Sequence, residues 1–255
     1  MLITSCIRLH LGGSPYDFEV QTTMTPVDIQ AALPAIRQLT DQLVKIASES
    51  AEKDGNSISC GKGCASCCRM AIPVSAPEAH RLREVVEAMP EPRQARIRER
   101  FARAMDVFRD TGILDNMFQQ ENNEGEEHDG SEHRHAYFAK NVPCPFLEEE
   151  SCSIYSERPL SCRERIVTSP AGNCANLDGA GVERVPVLGR PAEALILAAS
   201  DPENNPRLAV LPLVQLFEWT QQNPPSGELR IGPEWIGSFC EHLVTAAESD
   251  LQPPA

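Results

Sequence analysis

Nowhere does this sequence hold the roughly 18 consecutive apolar residues of a membrane-spanning helix, so no membrane association is expected. Met1 to Gly13 shows neither a basic start nor an apolar run of signal length, which makes cytoplasmic location the expectation. Positive charge is scarce: 23 Lys and Arg stand against 37 Asp and Glu, for a net charge of −14. Such a chain repels nucleic acid unless basic residues collect on one face. They do concentrate between Arg81 and Arg109, but acids are interleaved at helical spacing, so a solvated helix surface is expected and no nucleic-acid binding. There is no internal repeat, no Ser/His/Asp arrangement and no phosphate-cradling loop. Gly179-Ala180-Gly181 is too short a glycine signal for an S-adenosylmethionine site and lacks a clear strand before it.

Cysteine is plentiful by contrast, at ten residues. Hydrophobic residues make up 41% of the 255, so a core can form without covalent staples. In a cytoplasmic setting thiols stay reduced. Eight of the cysteines fall in two segments far apart in the chain. The first is Cys60-Gly61-Lys62-Gly63-Cys64-Ala65-Ser66-Cys67-Cys68; the second contains Cys144, Cys152 and Cys162, with Cys174 following. A Cys-x-x-Cys turn such as Cys64 to Cys67 doubles the chain back so that two thiolates can reach one ion at roughly 2.3 Å. Thiolates are soft donors and select zinc, copper(I) or iron–sulfur over magnesium or calcium. Magnitudes favour a metal over disulfides. A structural zinc site supplies on the order of 10–16 kcal/mol in small peptides, against about 2–4 for one disulfide and about 5–15 for a domain's net stability. Cys60, Cys64, Cys67, Cys68, Cys144, Cys152, Cys162 and Cys174 are therefore the candidate ligands of a zinc or iron–sulfur centre. Cys68 has the further option of acting as a thiol behind the ligands or as a redox thiol. Isolated Cys6 and Cys240 are expected to be small buried hydrophobes.

At these residues the sequence resembles the YkgJ-type cysteine-cluster family. The matching blocks are Cys64-Ala65-Ser66-Cys67-Cys68, then Cys144-Pro145-Phe146-Leu147, then Cys152-Ser153-Ile154-Tyr155-Ser156-Glu157-Arg158-Pro159-Leu160-Ser161-Cys162-Arg163. The resemblance covers roughly Ser59 to Cys174 and implies chelation of zinc or iron, without an agreed reaction. Many members carry two residues between the first cysteine and the next; here Cys60 and Cys64 are separated by three. A more distant resemblance, to the flagellin lysine methylase type, implies an alternative as a redox or methyl-transfer enzyme. A zinc-stapled interaction protein is the other alternative. The Cys60-x3-Cys64-x2-Cys67 spacing also occurs in radical S-adenosylmethionine enzymes, which need repeated strand–helix units that this helix-rich pattern lacks. A metal ion is the expected partner; no protein partner is legible.

Around the cysteines the pattern predicts an α+β fold, mainly helical, with a short N-terminal β-hairpin and irregular Cys-rich loops organised around a metal site. Three parts are expected: a hairpin over 1–24, a metal-binding domain over 25–178, and a helical extension over 179–255 packed on it. Ile7, Leu9 and Leu11 alternate with Arg8 and His10 before a Gly12-Gly13-Ser14-Pro15 turn, and Phe18, Val20 and Thr22 return. Leu33, Ile36, Leu39, Leu43 and Ile46 predict a helix ending at Asp54-Gly55-Asn56, with Pro34 in its first turn or at a kink. Ser75 and Glu78 form a capping-box pattern for a helix to about Ala88. Ile97, Phe101, Ala104, Met105 and Phe108 predict another, stopped near Gly112. The acidic stretch 121–132 predicts a mobile loop. A strand over 182–187 and helices over 191–199, 213–222 and 233–248 follow, then a frayed tail from Gln252. Arg158 and Arg163 are expected either to offset sulfur charge or to pair with Glu149, Glu150 or Glu157, and Phe146 and Tyr155 to form a dry shell. His80 is expected on a helix surface. His133 and His135, with His128 nearby, are read as loop residues with a secondary option as metal ligands.

Overall fold

Alternation of apolar and polar residues gives the N-terminal hairpin its two faces. The computed structural model describes residues 2–115, 117–118, 131–176, 179–200 and 210–250. In it β1 (Leu2–Leu11) pairs antiparallel with β2 (Ser14–Thr23), Ile7 opposite Phe18 and Leu9 opposite Tyr16. Gly12 and Gly13 make the turn at φ 58° and 81°, a conformation that favours glycine and matches strand twist. Leu9, Leu11, Phe18 and Val20 are buried, whereas Cys6 shares the outward face with Arg8 and His10 and is exposed. The expectation of a buried Cys6 is thus corrected by the same alternation that places its neighbours.

The hairpin lies on α1 (Ile29–Lys53), which starts at Asp28, whose carboxylate accepts the Ala31 N–H at 2.9 Å. Pro34 stands inside the helix, one turn beyond its start. Leu33, Ile36, Leu39 and Leu43 form the buried stripe. Gln38 and Gln42 on the same helix bond to the backbone of Gln21 and Glu19 in β2. After the first cysteine segment, β3 (Pro73–Ser75) leads directly into α2 (Ala76–Glu87), with Glu78 accepting the Ser75 N–H and hydroxyl as the capping pattern predicts. α3 (Glu91–Phe108) follows and ends four residues before Gly112, because Arg109 turns to φ −55°, ψ 135° and Asp110 then takes the left-handed conformation at φ 62°. The basic residues of α2 and α3 are neutralised by acids, as in Arg83–Glu87, Arg98–Glu87 and Arg100–Glu148.

Residues 121–130 of the expected loop, with His128, lie outside the described residues. Its last two residues instead open α4 (Ser131–Ala139), whose Tyr137 stacks on Phe108 with ring centroids 4.4 Å apart. A small hairpin, β4 (Leu147–Glu148) and β5 (Ser151–Cys152), precedes a one-turn 3-10 segment at Tyr155–Glu157 and α5 (Leu160–Arg163). β6 (Ile166–Val167) pairs antiparallel with β7 (Arg184–Val185), a 3-10 turn at Ala171–Ala175 lying between them. α6 (Pro191–Ala198) comes next. β8 (Val210–Pro212) then returns to pair with β3, Val74 opposite Leu211. A 3-10 turn and α7 (Leu216–Gln222) lead to α8 (Gly232–Ser249), where Trp235 donates to the Val27 carbonyl at 2.9 Å. The expected frayed tail lies outside the described residues. The fold is therefore mainly helical with four small two-stranded sheets among the described residues, and no helix among them is long and apolar enough to cross a membrane.

Two large apolar clusters frame the cysteine segments. One joins the hairpin, α1, α6 and α8 and includes Leu160 and Ile166. The other joins α2, α3 and the β3–β8 pair and includes Phe146, Ile154, Leu213 and Leu216. Each fully buried aliphatic or aromatic side chain contributes roughly 1.5–3 kcal/mol. Leu160, Phe146 and Ile154 each stand two residues from a cysteine, so burying them anchors Cys162, Cys144 and Cys152.

Candidate metal centre

The first cysteine segment is a succession of tight turns. Cys64 N–H bonds to the Gly61 carbonyl at 3.1 Å, Cys68 N–H to Ala65 at 2.9 Å and Met70 N–H to Cys67 at 3.1 Å. The second segment attaches to it directly: the Cys144 N–H donates to the Cys68 carbonyl at 2.7 Å. Cys152 lies in β5 opposite Leu147, where the short hairpin turns the chain back toward Phe146.

Cys162 is positioned by α5, and α5 is held by buried charge. The Glu78 carboxylate accepts the Leu160 N–H at 2.7 Å with one oxygen while capping α2 with the other. Ser161 donates to the Pro73 carbonyl at 2.7 Å. From α1, Arg37 pairs with Glu157, and Asp41 receives both Nη1 contacts of Arg163 at 2.7 and 2.8 Å. Arg163 also donates to the carbonyls of Arg158 and Ser156. The partners expected for the arginines are thus replaced: Glu157 is taken by Arg37 and Arg81, Glu150 by Arg69, and Arg163 reaches Asp41.

Six thiols line one cavity of about 100 Å³: Cys64, Cys67, Cys68, Cys144, Cys152 and Cys162. Phe146, Ile154, Tyr155 and Leu213 complete its apolar wall, which agrees with the expected dry shell. Cys60 and Cys174 do not line it. Cys60 sits against β6 and the first core cluster, and Cys174 is buried on the turn at Ala171–Ala175, both within electrostatic reach of Cys64 and Cys67. All ten cysteines are free thiols. Among the described residues, no three His, Cys, Asp or Glu side chains already stand in an arrangement that would hold an ion.

The chemistry of the wall fits a thiophilic cation. Burial pushes the Cys144 thiol up to about 12 and the Cys162 thiol well above its ordinary value, with neighbouring cysteines adding to both. Cys67 runs the other way, held well below the usual thiol range by a hydrogen bond from Cys68 and, despite burial, by Arg165 and Arg158. The six sulfurs cannot all ionise together without added positive charge. Arg158 and Arg165 also line the cavity, and the Nε of each is buried with no hydrogen-bond partner among the described residues. The Arg158 guanidinium lies over the Tyr155 ring at 3.9 Å. An unpaired buried guanidinium N–H costs about 1–3 kcal/mol unless an acceptor is supplied, and a thiolate bound to metal is such an acceptor.

Sequence reading passed over Arg165, Arg37 and Asp41, and saw in Glu78 only the cap of α2, not its bond to Leu160. Arg165 lies beyond the end of α5, and its place on the cavity wall follows from how the chain leaves that helix for β6, which spacing from Cys162 does not encode. His133 and His135 lie on α4 rather than in a loop, two residues apart, so that they leave the helix on different sides. His80 is buried at 8% exposure, its ring 5.7 Å from that of Trp219 where α2 packs on α7, in contrast to its expected surface position.

Fold and site together define a chain that gathers thiols from two distant segments between two apolar cores. Residues 59–179 match the model of the CxxCxxCC family, described as a putative zinc- or iron-chelating domain, in agreement with the resemblance carried by the cysteine blocks. No curated protein and no solved structure matches the chain.

Proposed function

We propose that this protein chelates zinc or iron, the iron alone or as an iron–sulfur cluster, through thiolates facing one buried cavity. Cys64, Cys67, Cys68, Cys144, Cys152 and Cys162 supply the donors, and Cys60 and Cys174 stand behind Cys64 and Cys67 as a reserve. Arg158 and Arg165 offset the negative charge of the ligand set. The observation that carries this reading is that six cysteines line about 100 Å³ of space beside Arg158 and Arg165, whose buried Nε atoms have no hydrogen-bond partner among the described residues. When bound, the metal supplies the positive charge that keeps several thiolates ionised in a dry site. The chain's own residues place the sulfurs, exclude water and compensate charge. Uptake then releases protons, and apparent affinity falls as pH drops.

The test is anaerobic purification followed by metal analysis and a visible spectrum. Brown protein absorbing in the visible range indicates iron–sulfur; colourless protein with stoichiometric zinc indicates a zinc site. Metal-free protein that takes up neither ion after reconstitution under reducing conditions overturns the reading. Cys162→Ser is expected to lose bound metal, with Cys6→Ser as the unaffected control.

A further inference from the structure

Outside the sulfur-lined cavity lies a wider cleft of about 890 Å³, large enough for a small-molecule ligand. Among the six thiols of the inner cavity, Cys64 alone also lines this cleft. Its surroundings differ from those of its partners. Cys144 is tied to Cys68, and Cys162 rides on α5, which two buried charges hold. Cys64 is held only by a local turn, its N–H on the Gly61 carbonyl, and follows glycines on which nothing packs: a Cβ added at Gly61 or Gly63 meets no atom within 4 Å. The cleft also carries Lys62, which has no ion pair among the described residues, and Arg69, bonded to Glu150 at 3.0 Å. Glu149 and Glu150 take left-handed backbone conformations, φ 49° and 53°, as the two-residue β4–β5 turn requires. With two cations and one carboxylate, this wall is positive on a chain whose net charge is −14.

Building on the metal reading, we propose that Cys64 is the exchangeable edge of the centre and that the cleft admits a small anionic thiol. Soft metals exchange readily among soft donors. The incoming thiol gives its proton to the Cys64 sulfur as its own sulfur bonds the metal; the metal–Cys64 bond breaks, and no electrons are transferred. Lys62 attracts the thiol's carboxylate. Metal thereby enters and leaves through one face while the other sulfurs keep their places.

The experiment uses full-length, zinc-loaded protein and follows zinc transfer to a chromophoric chelator. Mercaptoacetate is expected to accelerate transfer roughly tenfold or more over neutral 2-mercaptoethanol, in line with charge steering. Lys62→Glu should abolish that preference while leaving the zinc content unchanged. Brief iodoacetamide treatment of the loaded protein, mapped by peptide mass, should modify Cys64 ahead of Cys67, Cys144 and Cys162. Equal protection of Cys64, or an undiminished mercaptoacetate preference in Lys62→Glu, overturns the inference while the bound zinc leaves the metal reading standing. Failure to load either zinc or iron fells both, and metal analysis tells the two failures apart.

Discussion

The buried carboxylate of Glu78 accepts the Leu160 backbone N–H at 2.7 Å, linking the start of α2 to the short helix that presents Cys162. The same side chain accepts from the Ser75 N–H and hydroxyl at 3.1 and 2.7 Å. Replacing it with Ala leaves buried donors without an acceptor, at a cost of about 2–4 kcal/mol. Urea denaturation of Glu78→Ala is expected to show that loss, and metal content per chain should fall with it. Unchanged stability would mean that α5 is held by packing alone.

A second prediction concerns Arg163 and Asp41. Arg163 has 6% side-chain exposure and Asp41 56%, so removing the acid strands a buried cation whereas the acid alone would stay hydrated. Asp41→Ala is expected to cost about 2–3 kcal/mol, more than a surface pair's usual 0–1. Arg163→Lys keeps the charge but lacks the fork that also reaches the Arg158 and Ser156 carbonyls. A double-mutant cycle by chemical denaturation should give a coupling above about 0.5 kcal/mol.

His80 makes stability depend on pH. Burial lowers its pKa, with Arg83 adding to the effect and the Asn223 carbonyl and Glu84 opposing it. Folded His80 resists protonation, so its contribution is present above the unfolded value, about 6.5, and is lost as pH falls through the lowered folded value. Melting curves of the wild type and His80→Gln should diverge least in this window at low pH and most above it. Parallel curves from pH 8 to 5 would rule out the titration of His80 as a source.

Gly232 opens α8 against the hairpin. A Cβ there would lie 1.7 Å from the Thr22 hydroxyl and 2.9 Å from both Thr23 N and O. Gly232→Ala should destabilise by about 2 kcal/mol or more, within the range of overpacking strain. Adding Thr22→Ala should recover only part of it, because the Thr23 backbone remains. Full recovery in the double variant would locate the whole clash at the hydroxyl.

Periodicity made the hairpin, α1 and α3 legible, because each buries one face and the period is written in Leu9–Leu11, Leu33–Leu43 and Ile97–Phe108, and the capping box of Ser75 and Glu78 marked α2. The cysteine blocks were legible for a chemical reason: thiols at turn spacing have few structural uses. The supports of the site were not. Arg37 and Asp41 are ordinary helix charges in sequence and Glu78 reads as a local cap, and only tertiary packing brings them to Glu157, Arg163 and Leu160. His80 was misplaced because its burial comes from Trp219, far along the chain.

Strand β3 finds its partner in β8, and the guanidinium of Arg163 its counterion in α1, both beyond the boundaries 59–179. Dissection at those boundaries should therefore yield a fragment that aggregates rather than a miniature of the site, even when zinc is supplied during refolding. Anyone wishing to transplant the cysteine pocket into another scaffold would have to carry the flanking helices along with it.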